Sequence, residues 1–262
     1  MKVGELRAKI AGEEWYHTLE LAPGIVTPGW LDHRAIAKEM PFGSLEGKRC
    51  LDVATFDGFW AFEMERRGGE VVAIDVKDAS EVDWPADSTS AVLEAMERRK
   101  RQGDGFELAK SAFGSSVERR WLSIYELDPD DIGQFDFIYL GSLLLHLRDP
   151  IGALMKVRGV CRGRLVICDA INPWWSMLSP HIPLATLEGT GRPWWWRPNV
   201  KGLERMAEGA GFKVLSTRRL RFQAGKGRPS PPITLPVLRS PQARRELLDV
   251  RVGDPHALLE CA

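Results

Sequence analysis

The fold is decided by the stretch Cys50-Leu51-Asp52-Val53-Ala54-Thr55-Phe56-Asp57-Gly58-Phe59-Trp60 and by Val71-Val72-Ala73-Ile74-Asp75 after it. The pattern predicts a short buried strand, a tight turn, a helix and a second strand, with an acid at or near the end of each strand. Such a unit opens a nucleotide-type fold, and the spacing of Asp52 and Asp75 suits an adenosine-containing ligand. The alternative interpretation is that each acid only caps a helix or begins a turn.

Strands and helices alternate along most of the chain around this unit. We predict strands at 49–53, 70–76, 120–125, 135–140, 164–168 and 213–222, and helices at 4–12, 32–40, 58–67, 87–101, 106–113, 150–160 and 200–209. The alternation predicts a doubly wound, mainly parallel, Rossmann-like α/β sheet with helices on both faces. Ligands of such sheets bind beyond the carboxyl ends of the strands.

Three units are predicted along the chain. Residues 1–47 form an N-terminal helical and aromatic preface, 48–222 form the main domain, and 223–262 form a C-terminal extension packed on the same domain. The main domain contains a Trp- and Pro-rich lid insertion at 171–198. The prolines within 225–241 predict an extended, irregular segment.

The composition argues against several classes of partner. Lys plus Arg and Asp plus Glu both total 36 in the 262 residues, and a chain without net charge is a poor candidate for nucleic-acid binding. The four cysteines show no C-x-x-C spacing, which favours reduced core residues. No segment reaches the roughly 20 apolar residues of a membrane span, and the N-terminus has no apolar signal core. We therefore expect a cytoplasmic protein without membrane contact.

The first turn indicates which adenosine ligand fits. A dinucleotide needs G-x-G-x-x-G for close approach of its pyrophosphate, and the turn here has only Gly58. S-adenosylmethionine has no phosphate, so the missing glycines favour it. Asp75 is expected to accept both ribose hydroxyls, and Asp52 with the turn backbone to hold the methionine end. The full predicted cofactor set is Trp30, Asp52, Ala54, Thr55, Phe56, Asp57, Gly58, Asp75, Ser123, Ile124, Tyr125 and Gly141.

Three motifs carry a resemblance to a known family. They are L-D-V-x-x-x-D-G at 51–58, A-I-D at 73–75 and F-D-F-I-Y-L-G-S-L-L-L-H-L-R-D-P at 135–150. Over residues 13–215 the chain resembles class I S-adenosylmethionine-dependent methyltransferases, and more narrowly the group related to the bacterial tRNA wobble-uridine carboxymethyltransferase. The resemblance implies the fold and the methyl donor, and it leaves the acceptor open.

The sequence also departs from this family. Ala54-Thr55-Phe56 largely replaces the usual glycine-rich turn. The wobble-uridine enzyme reads the carboxylate of carboxy-S-adenosylmethionine with a tyrosine, a lysine and an arginine. Here Leu145 stands at the tyrosine position, and the counterpart of the lysine is Tyr16 or His17. Plain S-adenosylmethionine is therefore the expected donor.

His146 is the predicted catalytic base. An alcohol is a weak nucleophile at neutral pH, so an O-methyltransferase usually needs a general base or a metal. His146 follows the fourth strand, on the side where the methyl group should lie; alternatively, it is an ordinary core histidine. Asp169, at the end of the fifth strand, could bind Mg²⁺ together with His146 or Asp149, or it could cap a turn.

Tryptophans are concentrated in the insertion, where indole faces suit the apolar face of a sugar or an aromatic acceptor. The alternative is that these rings pack on the domain or on a partner subunit of a homo-oligomer. Arg192 and two further polar residues could add contacts to the acceptor. The predicted acceptor-binding residues are His17, Trp174, Trp194, Trp196, Arg197 and Asn199.

Three hypotheses for function follow. The first is O-methylation of a hydroxyl on a small acceptor, with a saccharide ahead of an aromatic natural product. The second is modification of a tRNA wobble uridine, supported by nine bases and no acid between Gly209 and Arg245. That run could equally be a solvated face or a subunit contact. The third hypothesis is a binding module that keeps the cofactor site without catalysis.

Overall fold

The computed structural model describes residues 3–86, 104–188 and 194–262, together with 88, 90, 94, 97 and 98. Most of the helix predicted at 87–101, and Arg192, lie outside these residues. The helices are α1 Val3–Gly12, α2 Phe59–Glu65, α3 Asp104–Phe113, α4 Pro129–Ile132, α5 Pro150–Val160, α6 Pro173–Leu178, α7 Val200–Gly209, α8 Leu235–Arg239 and α9 Pro241–Val252. The strands are β1 Glu20–Ala22, β2 Ile25–Val26, β3 Leu31–Asp32, β4 Arg49–Val53, β5 Glu70–Asp75, β6 Glu118–Trp121, β7 Phe135–Gly141, β8 Cys161–Ala170, β9 Ala185–Leu187, β10 Trp196–Pro198, β11 Val214–Ala224 and β12 Asp254–Cys261.

An eight-stranded sheet organises the molecule, with the order β3-β11-β12-β8-β7-β4-β5-β6. The pairs β4–β5, β5–β6, β4–β7 and β7–β8 are parallel, and β12 runs antiparallel to both β8 and β11. The predicted mainly parallel, doubly wound α/β fold is confirmed. Because strand order reverses on either side of β4, the sheet has its switch point between β4 and β7, where such folds bind ligands.

The central strands form where the sequence predicts them because they are continuous apolar runs buried on both faces. The predicted first strand at 49–53 and the helices at 150–160 and 200–209 agree with the observed bounds. Two buried clusters lie on opposite faces of the sheet, one containing Phe137 and Tyr139, the other Ile138 and Leu140. The alternation along β7 follows the two-residue period of a strand.

The C-terminal part departs most from the prediction. The irregular segment predicted at 225–241 contains α8, and α9 follows it. The last strand, β12, lies inside the sheet between β8 and β11, and its residues Ala257, Leu258 and Leu259 are fully buried. A helix was also predicted at 32–40, where the structure has β3 and a short 3-10 turn at Ile36–Lys38.

The preface and the insertion both lie over the carboxyl ends of the strands. Backbone bonds join parts of the preface to one another and to the main sheet: Thr18 N–H donates to Leu31 O, and the edge strand β3 pairs with β11. In the insertion, β9 and β10 form an antiparallel pair, and Trp195 N–H donates to Leu145 O. None of the helices among the described residues has both the length and the apolar character that crossing a membrane requires.

Candidate active site

The turn after β4 has left-handed backbone at three positions. Ala54 has φ 61°, Phe56 has φ 48° and Gly58 has φ 85°. A left-handed conformation costs a residue with a Cβ about 1–2 kcal/mol, and it costs glycine little. The chain therefore keeps the tight turn of a glycine-rich loop while carrying alanine and phenylalanine at two of its strained positions.

Asp75 at the end of β5 closes this turn from the neighbouring strand. Its Oδ2 accepts the Phe56 N–H at 3.0 Å and its Oδ1 accepts the Val76 N–H at 2.8 Å. Thr55 N–H donates to Ile74 O, which ties the turn to the same strand. The acid is buried and faces a cavity, so the register of β4 and β5 brings its carboxylate beside the turn.

Asp52 lies beneath the same cavity. The Thr55 hydroxyl donates to its Oδ2 at 2.7 Å. Burial raises the pKa of the Asp52 carboxyl to about 7, the Thr55 hydrogen bond opposes this shift, and the charge of Asp75 adds to it. This carboxyl can therefore change protonation near neutral pH.

A cavity of about 400 Å³ opens along the carboxyl ends of the central strands. Its walls come from the preface, the first turn, β7, the insertion and the C-terminal strands. Of the predicted site residues, Trp30, Asp52, Ala54, Phe56, Asp75, Gly141, His17, His146 and Trp194 line it. The structure thus brings together residues that are up to 177 positions apart in the sequence, from His17 to Trp194.

A smaller recess of about 70 Å³ adjoins the Asp75 end and shares Ala54, Asp75 and Val76 with the cavity. Three predicted cofactor residues line it: Ser123, Ile124 and Tyr125. Most of the recess surface is apolar, contributed by side chains such as Leu122 and Leu143. An apolar recess beside an acid suits a purine ring.

Three other predicted cofactor residues lie behind the turn and do not line the cavity. Thr55 donates to Asp52, and Gly58 begins α2, where a Cβ would lie 2.5 Å from the Phe62 ring. Asp57 Oδ2 accepts the N–H groups of Tyr16 at 2.6 Å and His17 at 2.7 Å. These residues shape the turn and hold the preface over it.

His146 ends a 3-10 turn, Leu144–His146, that follows β7, and its side chain lines the cavity and two adjoining recesses. The predicted Mg²⁺ set is not assembled around it. Asp169 is buried, with Oδ2 accepting the N–H groups of Leu143 and Leu144 and Oδ1 accepting that of Ala170. Asp149 caps α5 through the Gly152 N–H. Within the described part of the chain, no three His, Cys, Asp or Glu side chains form a group that could hold a metal ion.

Several predicted acceptor residues have other positions. The Trp174 side chain is 67 % exposed on α6 and does not line the cavity. Trp196 Nε1 donates to Arg148 O, and Arg197 Nε donates to Ile171 O beside a small recess. Asn199 is fully buried, and its side-chain amide makes hydrogen bonds to backbone groups of the insertion and of α7. For Trp174, Trp196 and Asn199 the acceptor prediction is therefore not supported.

The sequence also missed residues that the structure places in the cavity wall. Trp60, Tyr139 and His33 line its inner part, and Phe222, Arg228, Glu246 and Asp254 line the side formed by the C-terminal strands. Tyr139 could have been found from the period of β7, because it shares a face with Gly141. The C-terminal residues carry no local signal of their position.

The chain was compared with known proteins. The sequence pattern of the family described as a methyltransferase domain matches residues 31–217, which is most of the chain. The chain belongs to this methyltransferase family. The match spans the first turn, Asp75 and His146, the same region in which the sequence motifs occur.

Curated relatives of this methyltransferase carry the name ubiquinone biosynthesis O-methyltransferase. The one from Acinetobacter baumannii is 28% identical over 144 residues, 55% of this chain and 49% of the relative. The one from Alkalilimnicola ehrlichii is 31% identical over 50% of this chain and 44% of its own. The chain thus spans about half the length of the curated relatives it matches.

Solved structures resemble the methyltransferase over its whole length. The N-terminal domain of EvdMO1, solved with SAH bound, covers 99% of this chain and 96% of its own with a TM-score of 0.56 and 16% identity. The [4+2]-cyclase SpnF covers 99% and 92% with a TM-score of 0.54 and 16% identity. At such identities the likeness shows the fold alone, and the second case shows that this fold also hosts other chemistry.

Methyltransferases of this fold take their methyl group from S-adenosylmethionine, and the groups around the cavity fit that molecule. Asp75 presents a buried carboxylate at the cavity, as a ribose diol requires, and the adjoining apolar recess suits adenine. Asp52 adds a second carboxyl to the lining of the cavity. The predicted cofactor agrees with the family.

Proposed function

We propose that this methyltransferase transfers the methyl group of S-adenosylmethionine to a hydroxyl of a small acceptor, with a saccharide as the first class to test. One observation carries the proposal: a single cavity is lined by Asp75 and the first turn, by His146 and by aromatic side chains from distant segments. The names of the curated relatives favour oxygen as the methylated atom.

The two ends of the cavity lie over different halves of the sheet. Asp75 ends β5, whereas Phe222 belongs to β11, five strands away, a span of about 24 Å along a flat sheet. A cofactor held by Asp75 and the first turn therefore leaves the part over β7, β12 and β11 for an acceptor. The rings of Trp60, Trp194 and Phe222 also line the cavity and suit the face of a sugar or of an aromatic acceptor.

The reaction requires alignment and one proton acceptor. The bound cofactor supplies an electrophilic methyl group on a sulfonium. The walls of the cavity hold the acceptor hydroxyl in line and exclude water. As the oxygen bonds to the methyl carbon and the carbon–sulfur bond breaks, the hydroxyl proton moves to a ring nitrogen of His146.

Two variants separate the proposed roles of His146 and Asp75. His146→Ala should lower turnover by about 10²-fold or more and leave the Kd of S-adenosylhomocysteine within a few-fold. Asp75→Ala should instead weaken S-adenosylhomocysteine binding first, because it removes charge-assisted hydrogen bonds to the ribose. The measurements are methyl transfer from labelled cofactor to saccharides, phenols and unmodified tRNA, and calorimetric binding.

The outcomes separate the hypotheses. Unchanged turnover in His146→Ala would remove this residue from the mechanism. Tight cofactor binding without methyl transfer to any acceptor class would favour the non-catalytic module. An acceptor methylated on nitrogen or carbon would contradict the assignment of oxygen.

The second candidate function is modification of a tRNA wobble uridine, which rests on the bases between Gly209 and Arg245. Five of these nine have partners within the protein. Arg228 pairs with Asp254 and Arg245 pairs with Glu188, so acids outside the basic run neutralise part of its charge. This pairing favours a small acceptor over a polyanion.

A further inference from the structure

Three buried side chains in the inner wall of the cavity each have a polar atom without an oxygen or nitrogen hydrogen-bond partner. They are His17, His33 and Tyr139, with exposures of 5%, 2% and 1%. In His33 both ring nitrogens are without a partner, and in His17 it is Nδ1, with Asp57 Oδ2 3.9 Å away. The Tyr139 hydroxyl has no oxygen or nitrogen partner, and the Cys168 thiol beside it is only a weak hydrogen-bonding group.

These groups belong to one continuous cluster of rings. His33 lies 5.4 Å from His17, 5.2 Å from Trp60 and 4.2 Å from Phe222 between ring centroids, and Trp60 lies 4.7 Å from Tyr139. A buried polar group without a partner costs about 1–3 kcal/mol, so native proteins rarely keep several together unless something outside the fold satisfies them. Here all three line the same cavity.

His256, which lines an adjoining recess, is a structural histidine that offers a comparison. Its ring also stacks on Phe222, with the centroids 4.1 Å apart. Its Nδ1 donates to Asp254 O at 3.1 Å, so its Nε2 accepts the Ser142 hydroxyl at 2.9 Å in the neutral ring. Both nitrogens of His256 are satisfied within the protein, whereas neither nitrogen of His33 is.

The inner wall carries no net charge. Burial lowers the pKa of His17 to about 3 and lowers those of His33 and His256, so the three rings are neutral at physiological pH. Burial raises the pKa of the Tyr139 hydroxyl, which stays protonated. Among the described residues, the charged side chains of the cavity are Asp52, Asp75, Glu246, Asp254 and Arg228, and the arginine is paired with Asp254. An anionic acceptor would meet more acids than bases.

We propose that His17, His33 and Tyr139 form an acceptor subsite that binds an uncharged hydroxylated ring. The subsite rests on the proposed function for its role, and it adds the class of acceptor and the residues that select it. Hydroxyls of the ring bond to the imidazole nitrogens and to the Tyr139 hydroxyl, and its faces contact Trp60 and Phe222. A carboxylate or phosphate on the ring would lose hydration without gaining a cation.

The sharpest variant is His33→Phe, with His256→Phe as its matched control. If only a bound ligand satisfies the His33 ring nitrogens, replacing the ring by an apolar one of similar shape removes an unsatisfied polar group from the free protein. The Tm of His33→Phe should then rise by about 2 °C or more. His256→Phe leaves the Ser142 hydroxyl and the Asp254 carbonyl without their partner, so its Tm should fall by at least as much.

The same variants are tested for binding with two pairs of probes. Catechol is compared with 3,4-dihydroxybenzoate, and methyl glucoside with methyl glucuronide, by calorimetry on enzyme saturated with S-adenosylhomocysteine. The uncharged member of at least one pair should bind the wild type about 10-fold more tightly than its carboxylated partner. His33→Phe should lose about 10-fold of that affinity, and Tyr139→Phe should lose part of it.

The results decide between this subsite and the broader function. A Tm that falls in His33→Phe would overturn the subsite, because the imidazole would then be satisfied within the fold. Preference for the carboxylated probes, or no binding of either uncharged probe at millimolar concentration, would overturn it as well. Binding of an uncharged probe without methyl transfer would support the subsite and contradict the proposed O-methylation.

Discussion

Ala54 and Phe56 hold left-handed backbone conformations that usually require glycine. The strain is retained because the surrounding contacts determine the turn. Asp75 accepts the Phe56 N–H, and the Phe56 ring stacks on Tyr16 with centroids 4.7 Å apart. A glycine at position 56 would lose this stacking, so the side chain that costs strain also joins the first turn to the preface.

Substitutions at positions 54 and 58 should affect the free energy of unfolding differently. Ala54→Gly relieves about 1–2 kcal/mol of left-handed strain, and the greater freedom of glycine in the unfolded chain offsets part of this gain. The free energy of unfolding should therefore stay within about 1 kcal/mol of the wild-type value or rise slightly. Gly58→Ala places a Cβ 2.5 Å from Phe62 and 2.8 Å from Phe106, and it should lose about 2–3 kcal/mol. Urea unfolding measures both. A large loss of stability in Ala54→Gly would contradict the backbone strain inferred at position 54.

Asp52 should make stability depend on pH near neutrality. Its folded pKa of about 7 lies above the unfolded value of about 3.9, so its contribution is complete below about pH 4 and is lost as pH rises through 7. The full effect is on the order of 4 kcal/mol. Asp169, with a pKa raised to about 6, acts in the same direction.

Comparison with Asp52→Asn isolates this effect. Buried histidines such as His17 act with the opposite sign below about pH 6.5, because the unfolded chain binds their protons more readily. The difference in unfolding free energy between wild type and Asp52→Asn should therefore fall as pH rises from 5 to 8 in urea titrations. A difference that stays constant over this range would contradict the raised pKa.

At the scale of the elements, Asn199 organises the insertion. Its Oδ1 accepts the N–H groups of Gly202 at 2.7 Å and Leu184 at 3.0 Å. Its Nδ2 donates to the carbonyls of Ser179 and Ile182 at 3.0 and 2.9 Å. One side chain thus caps α7 and fixes the loop before β9, which in turn holds the strand pair that carries Trp194 over the cavity.

Removing this side chain should loosen the insertion. Asn199→Ala leaves buried backbone donors and acceptors unpaired and should lower the free energy of unfolding by about 2–4 kcal/mol, measured in urea. Asn199→Asp keeps the cap of α7 and loses the two donated bonds. At pH values where its carboxyl is protonated, this variant should therefore be less destabilised than Asn199→Ala. An Asn199→Ala variant as stable as wild type would contradict the role of this residue.

Several strands and helices could be predicted from the sequence. The strand at 49–53 and the helices at 150–160 and 200–209 have the expected bounds because local pattern and tertiary burial agree there. The strand Asp254–Cys261 was missed, although it is apolar, because it contains Pro255 and follows a helix that was not predicted either. Its burial comes from two strands distant in sequence.

At the scale of the whole molecule, the fold decides which charged side chains lie next to each other, and the order of residues in the sequence does not. The run between Gly209 and Arg245 has only basic charges in the sequence, and the fold places Arg228 on Asp254 and Arg245 near Glu188 and Asp249. Local charge in the sequence therefore overstates the charge available to a polyanion.

Binding to tRNA tests this conclusion. Affinity for bulk unmodified tRNA should be weak at physiological salt and should change little between 50 and 200 mM KCl, because few phosphates are neutralised. A filter-binding titration at several salt concentrations gives the slope. A steep loss of tight binding with rising salt would instead favour the tRNA function.

The sequence alone determined the βαβ unit, the acids at its strand ends, the parallel sheet and the family motifs, because those features rest on local periodicity and short-range turn chemistry. Only the tertiary structure decided which residues share a cavity. His17, His33, Tyr139 and Phe222 come from separate segments and meet because the preface folds over the strand ends and β11 returns beside β12. Such contacts depend on the packing of elements distant in sequence, for which no local pattern carries a signal.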